Sequence, residues 1–279
     1  MRDIKASIIT SEIRRLCIEA NYYLGEDVVK AFDKAIETEE SPVGVSILKA
    51  LKKNSEIARD EELPMCQDTG FTVIFAEIGQ EAHVIEGDLT EAINEGVRQG
   101  YKDGYLRKSI CDPFTRKNTG DNTPATIHYN IVPGDKISFI VAPKGGGSEN
   151  MSRATMLKPS DGIEGIKDFV LQRVKEAGSN PCPPIIVGIG IGGSIEQAAY
   201  IAKKALLRPL GTENEDSELN EIEKELLQSI NDLGMGPQGL GGTNYAIGVH
   251  VIKIPCHIAT LPLSVNICCH ASRHKSVTI

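Results

Sequence analysis

Apolar residues recur every three or four positions through most of the first 60 residues, a spacing that predicts helices with one buried face. Ile9, Ile13 and Leu16 mark that face in the first helix. A second helix is predicted to begin just after Gly25, where acidic residues suit the positive end of a helix. A third is predicted to begin at Pro42, because proline is well tolerated in the first turn. We expect these helices to form a scaffold without chemistry of their own.

Beyond residue 70 the pattern changes to a mixture of strands and helices. Short apolar runs predict strands at 71–78, 125–132, 136–142, 183–191, 245–254 and 261–267. Helical periodicity predicts helices at 88–106, 162–177, 194–207 and 218–233. Pro133-Gly134-Asp135 is a turn sequence that predicts a hairpin between the second and third of these strands. Residues 145–148 are expected to form a glycine-rich loop.

The order of these elements predicts an α/β protein, in which a helical N-terminal layer packs on a mixed or antiparallel sheet. The helices do not alternate regularly with the strands, so a doubly wound sheet is not required. No internal repeat and no long linker is visible. We therefore expect residues 1–279 to form a single domain.

Composition and charge exclude several classes of protein. The 279 residues are 41% hydrophobic and 24% charged, which is typical of a globular chain. A net charge of −8 argues against a nucleic-acid-binding protein, which needs a basic face. No apolar run approaches the ~20 residues that cross a bilayer, and the N-terminus lacks the apolar core of a signal peptide. We expect a cytoplasmic protein that binds neither nucleic acid nor membrane.

Seven cysteines are spread along the chain without any Cys-x-x-Cys pair. An odd number in a reducing compartment disfavours disulfides, and a zinc ribbon needs paired cysteines. Cys66, Cys182 and Cys269 stand in loop-like surroundings, and three such thiolates suit an iron–sulfur cluster with one iron left open. The alternative is that buried cysteines serve as small apolar residues. That alternative is favoured for Cys17, Cys111, Cys256 and Cys268.

Residues 188–193 match the Gly-x-Gly-x-x-Gly pattern and join a predicted strand to a predicted helix, as in dinucleotide-binding proteins. Two features oppose that interpretation. An acidic loop and a second helix follow, where a second strand is expected, and Cys182 is left without a role. A dinucleotide-binding oxidoreductase domain remains an alternative hypothesis.

Five segments taken in order resemble the class I, iron–sulfur fumarate hydratases and the related L-tartrate dehydratases. They are Cys66-Gln67-Asp68-Thr69-Gly70, Asn118-Thr119-Gly120, residues 144–150, Pro181-Cys182-Pro183-Pro184 with the glycines that follow, and residues 257–270. The resemblance is to the α subunit of the two-subunit form, which is equivalent to the N-terminal domain of the fused form. It covers nearly the whole chain, to about Arg273.

The resemblance implies a [4Fe–4S] cluster held by Cys66, Cys182 and Cys269, with Cys268 as the competitor for the third position. An open iron would act as a Lewis acid on the substrate. The implied reaction is the reversible hydration of fumarate to L-malate, a step of the tricarboxylic acid cycle. Dehydration of L-tartrate is the alternative. Fumarate and tartrate share a four-carbon diacid frame and differ in hydroxyl groups, so only a few polar contacts distinguish them.

The resemblance also implies roles for residues around the cluster. Asp68 resembles the acid–base group near the leaving oxygen, and His257 the substrate-contacting catalytic histidine. Gln67, Arg107 and Gly146 resemble substrate-binding residues, Arg107 as a clamp for a carboxylate. From the residues alone, Asp68 also fits a turn, Arg107 a surface helix and His257 a buried histidine.

The fused enzymes of this family have a C-terminal domain, which brings further arginines, a lysine and a threonine that acts as the other proton-transfer group. That domain is absent from this sequence. We therefore expect a separate β subunit, in an α2β2 assembly, and a chain that binds the cluster but is incomplete as an enzyme. A non-catalytic metal-binding subunit is a further alternative.

Overall fold

The protein is described by a computed structural model that covers all residues, Met1–Ile279. Eight α-helices follow one another along the chain: α1 (Ala6–Tyr22), α2 (Glu26–Thr38), α3 (Pro42–Asp60), α4 (Leu89–Asp103), α5 (Gly146–Glu149), α6 (Gly162–Ala177), α7 (Ile195–Ala205) and α8 (Ser217–Asn231). All of the predicted helices are present. The short α5 occupies the segment that was predicted to be a loop.

Ten strands accompany the helices: β1 (Arg2–Lys5), β2 (Phe71–Gly79), β3 (Ala82–Ile85), β4 (Thr126–Val132), β5 (Ile137–Lys144), β6 (Arg153–Leu157), β7 (Ile185–Gly193), β8 (Ala246–Cys256), β9 (Leu261–Cys268) and β10 (Lys275–Thr278). The six predicted strands are confirmed as β2, β4, β5, β7, β8 and β9. The α/β class is confirmed, and both four-stranded sheets are mixed, with parallel and antiparallel neighbours. The four strands that the pattern missed, β1, β3, β6 and β10, have only four or five residues each.

The chain divides into two compact units that are each built from separate stretches of sequence. The first unit is Met1–Gly25, Asn54–Gly146 and Arg273–Ile279, and the second is Glu26–Lys53 and Gly147–Ser272. The expectation of a single domain stays a prediction.

In the first unit, α1 and α4 pack on a four-stranded sheet with the strand order β10-β5-β2-β4. Alternate residues of β5, Ile137, Phe139 and Val141, are fully buried, as expected for a strand with one face toward a core. The two helices approach closely at Gly96, where a Cβ atom would lie 2.7 Å from the Cβ of Ile13. A pair of short parallel strands, β1 and β3, completes this unit.

The hairpin predicted at residues 133–135 is wrong. β4 and β5 both pair with β2, on opposite edges, so β2 lies between them. The connection passes around the end of β2, where Gly79 donates its N–H to Lys136 O at 2.8 Å. A Cβ atom at Gly79 would lie 2.4 Å from Gly134 O. The turn residues therefore wrap a third strand instead of joining two neighbours, which local sequence does not distinguish.

In the second unit, helices cover both faces of a sheet with the strand order β6-β9-β7-β8. The odd-numbered residues of β7, Ile185, Val187 and Ile189, pack in the core with α6 and α8. Helix α7 packs on the other face of β7, at Gly188 and Gly190. This burial on both faces explains why β7 reads as a continuous apolar run.

The glycines of the dinucleotide-like motif have a packing role. A Cβ atom at Gly188 would lie 2.1 Å from Ala202 O, and one at Gly190 would lie 2.1 Å from Ala198 O, both in α7. A Cβ atom at Gly192 would lie 1.9 Å from Ile254 O in β8. Close contacts of β7 with α7 and with β8 therefore account for these glycines without a bound nucleotide.

None of the helices combines the length and the apolar character that a membrane crossing requires.

Candidate active site

The loop between α3 and β2 carries three of the predicted site residues, Cys66, Gln67 and Asp68. Asp68 Oδ1 accepts a hydrogen bond from the Gly70 N–H at 3.0 Å, and Oδ2 accepts one from the Gly146 N–H at 2.9 Å. Two residues that are 78 positions apart are thus in direct contact. Two backbone donors fix the orientation of this carboxylate.

Gly70 makes that contact possible. Its φ is +76°, and a Cβ atom there would lie 2.7 Å from both N and O of Lys144. Only glycine tolerates this conformation and this close approach together. The approach brings the end of β5 and the following Gly145-Gly146 alongside Asp68.

Buried side chains hold the same loop through its main chain. The carbonyl oxygens of residues 68–70 each accept a side-chain hydrogen bond. Tyr101 Oη donates to the second and third carbonyls at 2.8 and 3.0 Å, and Asn122 Nδ2 donates to the third at 3.2 Å. Arg273 Nη2 donates to the first. Burial raises the pKa of Tyr101 well above its ordinary value, so its hydroxyl keeps the proton that it donates.

The backbone of Arg107 contacts this loop. Its carbonyl oxygen accepts a hydrogen bond from Thr69 Oγ1 at 3.0 Å, and its side chain is exposed. Asn122 strengthens the connection, because its Oδ1 accepts from the Ser109 N–H at 2.6 Å while its Nδ2 donates to Gly70 O. The segment that carries the predicted carboxylate clamp is therefore attached to the Asp68 loop at two points.

In the second unit, Cys182 lies between α6 and β7 with a φ of +55°. Its carbonyl oxygen accepts two hydrogen bonds from His270, one from the backbone N–H at 3.3 Å and one from Nδ1 at 3.0 Å. Since a carbonyl oxygen only accepts, a neutral His270 carries its proton on Nδ1. Cys269 immediately precedes His270, so the segments of two predicted ligands lie side by side.

The residue after Cys182 is held in a similar way. Pro183 O accepts from both the backbone N–H of Gln238, at 3.0 Å, and its side-chain Nε2, at 2.6 Å. Gln238 belongs to the glycine-rich loop at residues 234–243. That loop therefore supports the Cys182 segment.

Burial separates the two adjacent cysteines at the end of β9. The Cys268 side chain is 7% exposed and packs with Ile186 and Leu206. Cys269 is half-buried and lies just beyond the strand. The choice of Cys269 over Cys268 as a ligand stays a prediction, and this difference supports it.

His257 lies in the exposed connection from β8 to β9. Its Nδ1 accepts a hydrogen bond from the Ala259 N–H at 3.2 Å, and its carbonyl accepts from the Thr260 N–H at 2.9 Å. A neutral His257 therefore carries its proton on Nε2 and presents an N–H donor on the exposed side of the ring. The alternative of a buried histidine is excluded.

The chemistry of the three predicted ligands, taken one by one, suits the thiolate ligands of an iron–sulfur cluster. Cys66 and Cys269 are half-buried and Cys182 is exposed, each in a loop outside the apolar cores. Cys17, by contrast, is fully buried, and burial raises the pKa of its thiol to about 12, so it stays a protonated apolar residue. No group of three or more His, Cys, Asp or Glu side chains could hold a single metal ion. In a cluster each thiolate binds a different iron, so its ligands stand farther apart than those of one ion.

Four residues that hold these loops were missed by sequence reasoning: Tyr101, Asn122, Gln238 and Arg273. Tyr101 fits a buried helix position and gives no separate signal. Asn122 lies two residues beyond the Asn118-Thr119-Gly120 motif, and Arg273 is where the resemblance ends, without a role assigned to it. Their role became visible only from hydrogen bonds to backbone carbonyls distant in sequence.

The chain is similar over most of its length to known proteins of one family. The profile of the family described as Fumarate hydratase (Fumerase) matches residues 10–278. A protein of Methanocaldococcus jannaschii named putative L(+)-tartrate dehydratase subunit alpha is 44% identical over 276 residues, which are 97% of this chain and 96% of that relative. The L(+)-tartrate dehydratase subunit alpha of Escherichia coli K12 is 33% identical over 258 residues, 91% of this chain and 85% of that relative.

The family match and the two relatives place the chain among the hydro-lyases, enzymes that add water to a double bond or remove it. The chain belongs to the fumarate hydratase (Fumerase) family.

Proposed function

We propose that this chain is the α subunit of an iron–sulfur hydro-lyase that reversibly hydrates fumarate to L-malate together with a separate β subunit. The observation that carries the proposal is the Asp68 carboxylate, which two backbone amides hold in a loop two residues beyond Cys66. An acid–base group needs such a fixed orientation to exchange a proton with a substrate.

Cys66, Cys182 and Cys269 would hold a [4Fe–4S] cluster through their thiolates. When bound, this cluster supplies a Lewis-acidic iron that weakens the C–O bond of the substrate hydroxyl. We propose the cytoplasm as its location, because a reducing compartment suits reduced thiols and an odd number of cysteines.

The other site residues would position the substrate and move its protons. During dehydration, Asp68 would give a proton to the hydroxyl group that leaves C2, and a base of the proposed β subunit would take the proton from C3 as the double bond forms. During hydration both transfers run in reverse. Arg107 binds one substrate carboxylate through two parallel N–H donors, which a guanidinium geometry favours. His257 donates from Nε2, and Gln67 adds a polar contact. The Gly146 N–H donates a hydrogen bond to Asp68. If this N–H also binds the substrate, its hydrogen bond must be shared between Asp68 and the substrate.

L-tartrate is the second candidate substrate. The names of two relatives that are 33% and 44% identical to this chain support it. L-tartrate differs from L-malate by one hydroxyl group on the same four-carbon frame, so a few polar contacts decide between them.

A partner subunit completes the proposal. The same relatives are named as alpha subunits, which supports a β subunit for this chain as well. We propose an α2β2 assembly, and light scattering of the co-expressed subunits measures its stoichiometry.

The ligand set is tested by reconstituting the chain without oxygen and measuring iron, acid-labile sulfide and the visible spectrum. About four irons and four sulfides per chain are expected. Cys66→Ser, Cys182→Ser and Cys269→Ser should each lower this content strongly. Cys268→Ser is the matched control, because it changes the adjacent, buried thiol.

Activity is then measured with the β subunit added, on L-malate and on L-tartrate separately. A cluster that is lost in the three variants, together with turnover of one substrate, would support the proposal. A cluster that depends on Cys268 would overturn the ligand assignment. Tight binding of NAD without iron would instead favour the dinucleotide hypothesis.

A further inference from the structure

We infer that Arg273 is the positioning residue for Asp68. Its guanidinium donates a hydrogen bond to the main-chain carbonyl oxygen of Asp68 and so fixes the orientation of that residue. This inference rests on the proposed function, because it deepens the role of the acid–base carboxylate. Arg273 lies four residues after Cys269. In this inference it acts through Asp68 and not by contact with the substrate.

The first observation is how the Asp68 loop is held. Its side chain is fixed by two amide donors, and its carbonyl oxygen accepts from Arg273 Nη2. The next two carbonyls are held by neutral donors, Tyr101 and Asn122, which are fully buried. Of the three buried side chains that donate hydrogen bonds to this loop, Arg273 is the one that donates to the residue bearing the carboxylate.

The second observation is the cost of placing an arginine there. The residue is 5% exposed, and its Nε and Nη1 have no hydrogen-bond partner. A buried cation with unmet donors opposes folding, and an apolar residue of similar size is often at least as stable. Stability alone therefore does not favour an arginine at this position. In this inference the contribution of Arg273 is the hydrogen bond that fixes the position of Asp68.

The geometry gives the contact a direct effect on the chemistry. A rotation of the Asp68 peptide would move the carboxylate away from the Gly146 amide, which lies 2.9 Å from Oδ2. A displacement of about 1 Å in a reacting group can cost about a hundredfold in rate. Loss of Arg273 is therefore expected to lower kcat more than it raises KM.

The test compares Arg273→Met with the wild-type chain in the assembled, cluster-loaded enzyme. The expected result is a fall in kcat of about ten- to a hundredfold, with KM changed by less than about threefold and a normal iron content. Arg173→Met is the matched control, because Arg173 is 6% exposed and also has a buried, unpartnered Nε. It should leave kcat unchanged.

Hydrogen exchange measured by mass spectrometry gives a readout that does not depend on turnover. The peptide containing Gly146 should exchange about ten times faster in Arg273→Met, because the Asp68 carboxylate no longer protects that amide. Arg173→Met should leave this exchange unchanged. If the wild-type enzyme turned over neither L-malate nor L-tartrate, the proposed function would fail, and the exchange result would still decide the positioning of Asp68.

Three outcomes would overturn the inference. One is an unchanged kcat with unchanged exchange at Gly146. A second is a large rise in KM with kcat preserved, since that pattern belongs to a substrate-binding residue. The third concerns the variant Arg273→Lys. If Arg273→Met does not fold, Arg273→Lys becomes the deciding variant, because lysine keeps the positive charge and can donate hydrogen bonds but lacks the planar guanidinium. It should fold and retain iron with a several-fold lower kcat, and wild-type kinetics with wild-type exchange would contradict the inference.

Discussion

At the scale of one residue, Asp68 combines two roles that the sequence left as alternatives, a turn residue and a proposed acid–base group. Asp-Thr-Gly is turn chemistry, and the structure contains that turn, because Oδ1 accepts from the Gly70 N–H. The same turn aims Oδ2 at the Gly146 amide. The turn is therefore the device that orients the proposed acid–base group, and a structural role does not compete with a catalytic one.

Replacing Asp68 with asparagine tests the proton-transfer role. Asp68→Asn keeps the size and one oxygen acceptor but carries no exchangeable acid proton. We expect kcat on L-malate to fall by about 10²- to 10⁴-fold, with the iron content unchanged. Asp112→Asn is the control, since Asp112 also accepts from two backbone amides, Phe114 and Thr115, in an exposed turn. Near wild-type turnover by Asp68→Asn would remove Asp68 from the chemistry.

At the scale of elements, His250 joins β8 to the end of α7. The ring is 3% exposed, and Nδ1 donates to Ala205 O at 3.1 Å. Burial, together with the nearby charge of Arg208, lowers the pKa of His250 to about 4. The folded protein therefore keeps this histidine neutral.

This burial predicts how the stability of the protein depends on pH. The unfolded chain binds a proton at His250 below its ordinary pKa of 6.5, and the folded chain does so only near pH 4. The stabilising contribution is thus present above pH 6.5 and is lost as the pH falls toward 4. At pH 5 the free energy of unfolding should be lower than at pH 7.5 by about 2 kcal/mol from this group.

Denaturant titrations at pH 7.5 and pH 5 measure the effect. His250→Asn keeps a donor toward Ala205 and does not titrate, so this part of the pH dependence should disappear in the variant. An equal loss of stability in both proteins would assign the pH dependence to other groups.

At the scale of the whole molecule, contacts between distant parts of the sequence support the cysteine-bearing loops. The Glu39 carboxylate, at the end of α2, accepts hydrogen bonds from the N–H groups of Thr243 and Asn244 more than 200 residues away. Burial alone would raise the pKa of Glu39, but these donors and the Ser41 N–H lower it, so the group stays ionised. The loop that it holds carries Gln238, which in turn holds the residue after Cys182.

Removing this carboxylate should weaken both the fold and the cluster site. Glu39→Ala leaves the part-buried N–H groups of Ser41, Thr243 and Asn244 without the charged acceptor, so we expect a loss of about 3 kcal/mol in the free energy of unfolding. The iron of the reconstituted chain should also be released faster to a chelator. Glu40→Ala is the control, because Glu40 is exposed beside it. Equal stability of the two variants would refute this role of the Glu39 carboxylate.

The sequence by itself determined the α/β class, the long helices, the six longer strands and the motif that marks the family. These features depend on periodicity and on short local patterns, which are present before the chain folds. The hairpin at residues 133–135 marks the limit of such reasoning, because a turn sequence does not reveal whether a third strand will lie between the strands that it connects.

Only the tertiary structure decided how the site residues are held. The contact of Asp68 with Gly146, the three carbonyls held by Tyr101, Asn122 and Arg273, and the adjacent segments of Cys182 and Cys269 all join positions far apart in the chain. It also separated the buried Cys268 from Cys269 and gave the glycines of β7 a packing role against α7. These outcomes depend on which backbone groups meet after folding, and no local pattern of residues encodes that.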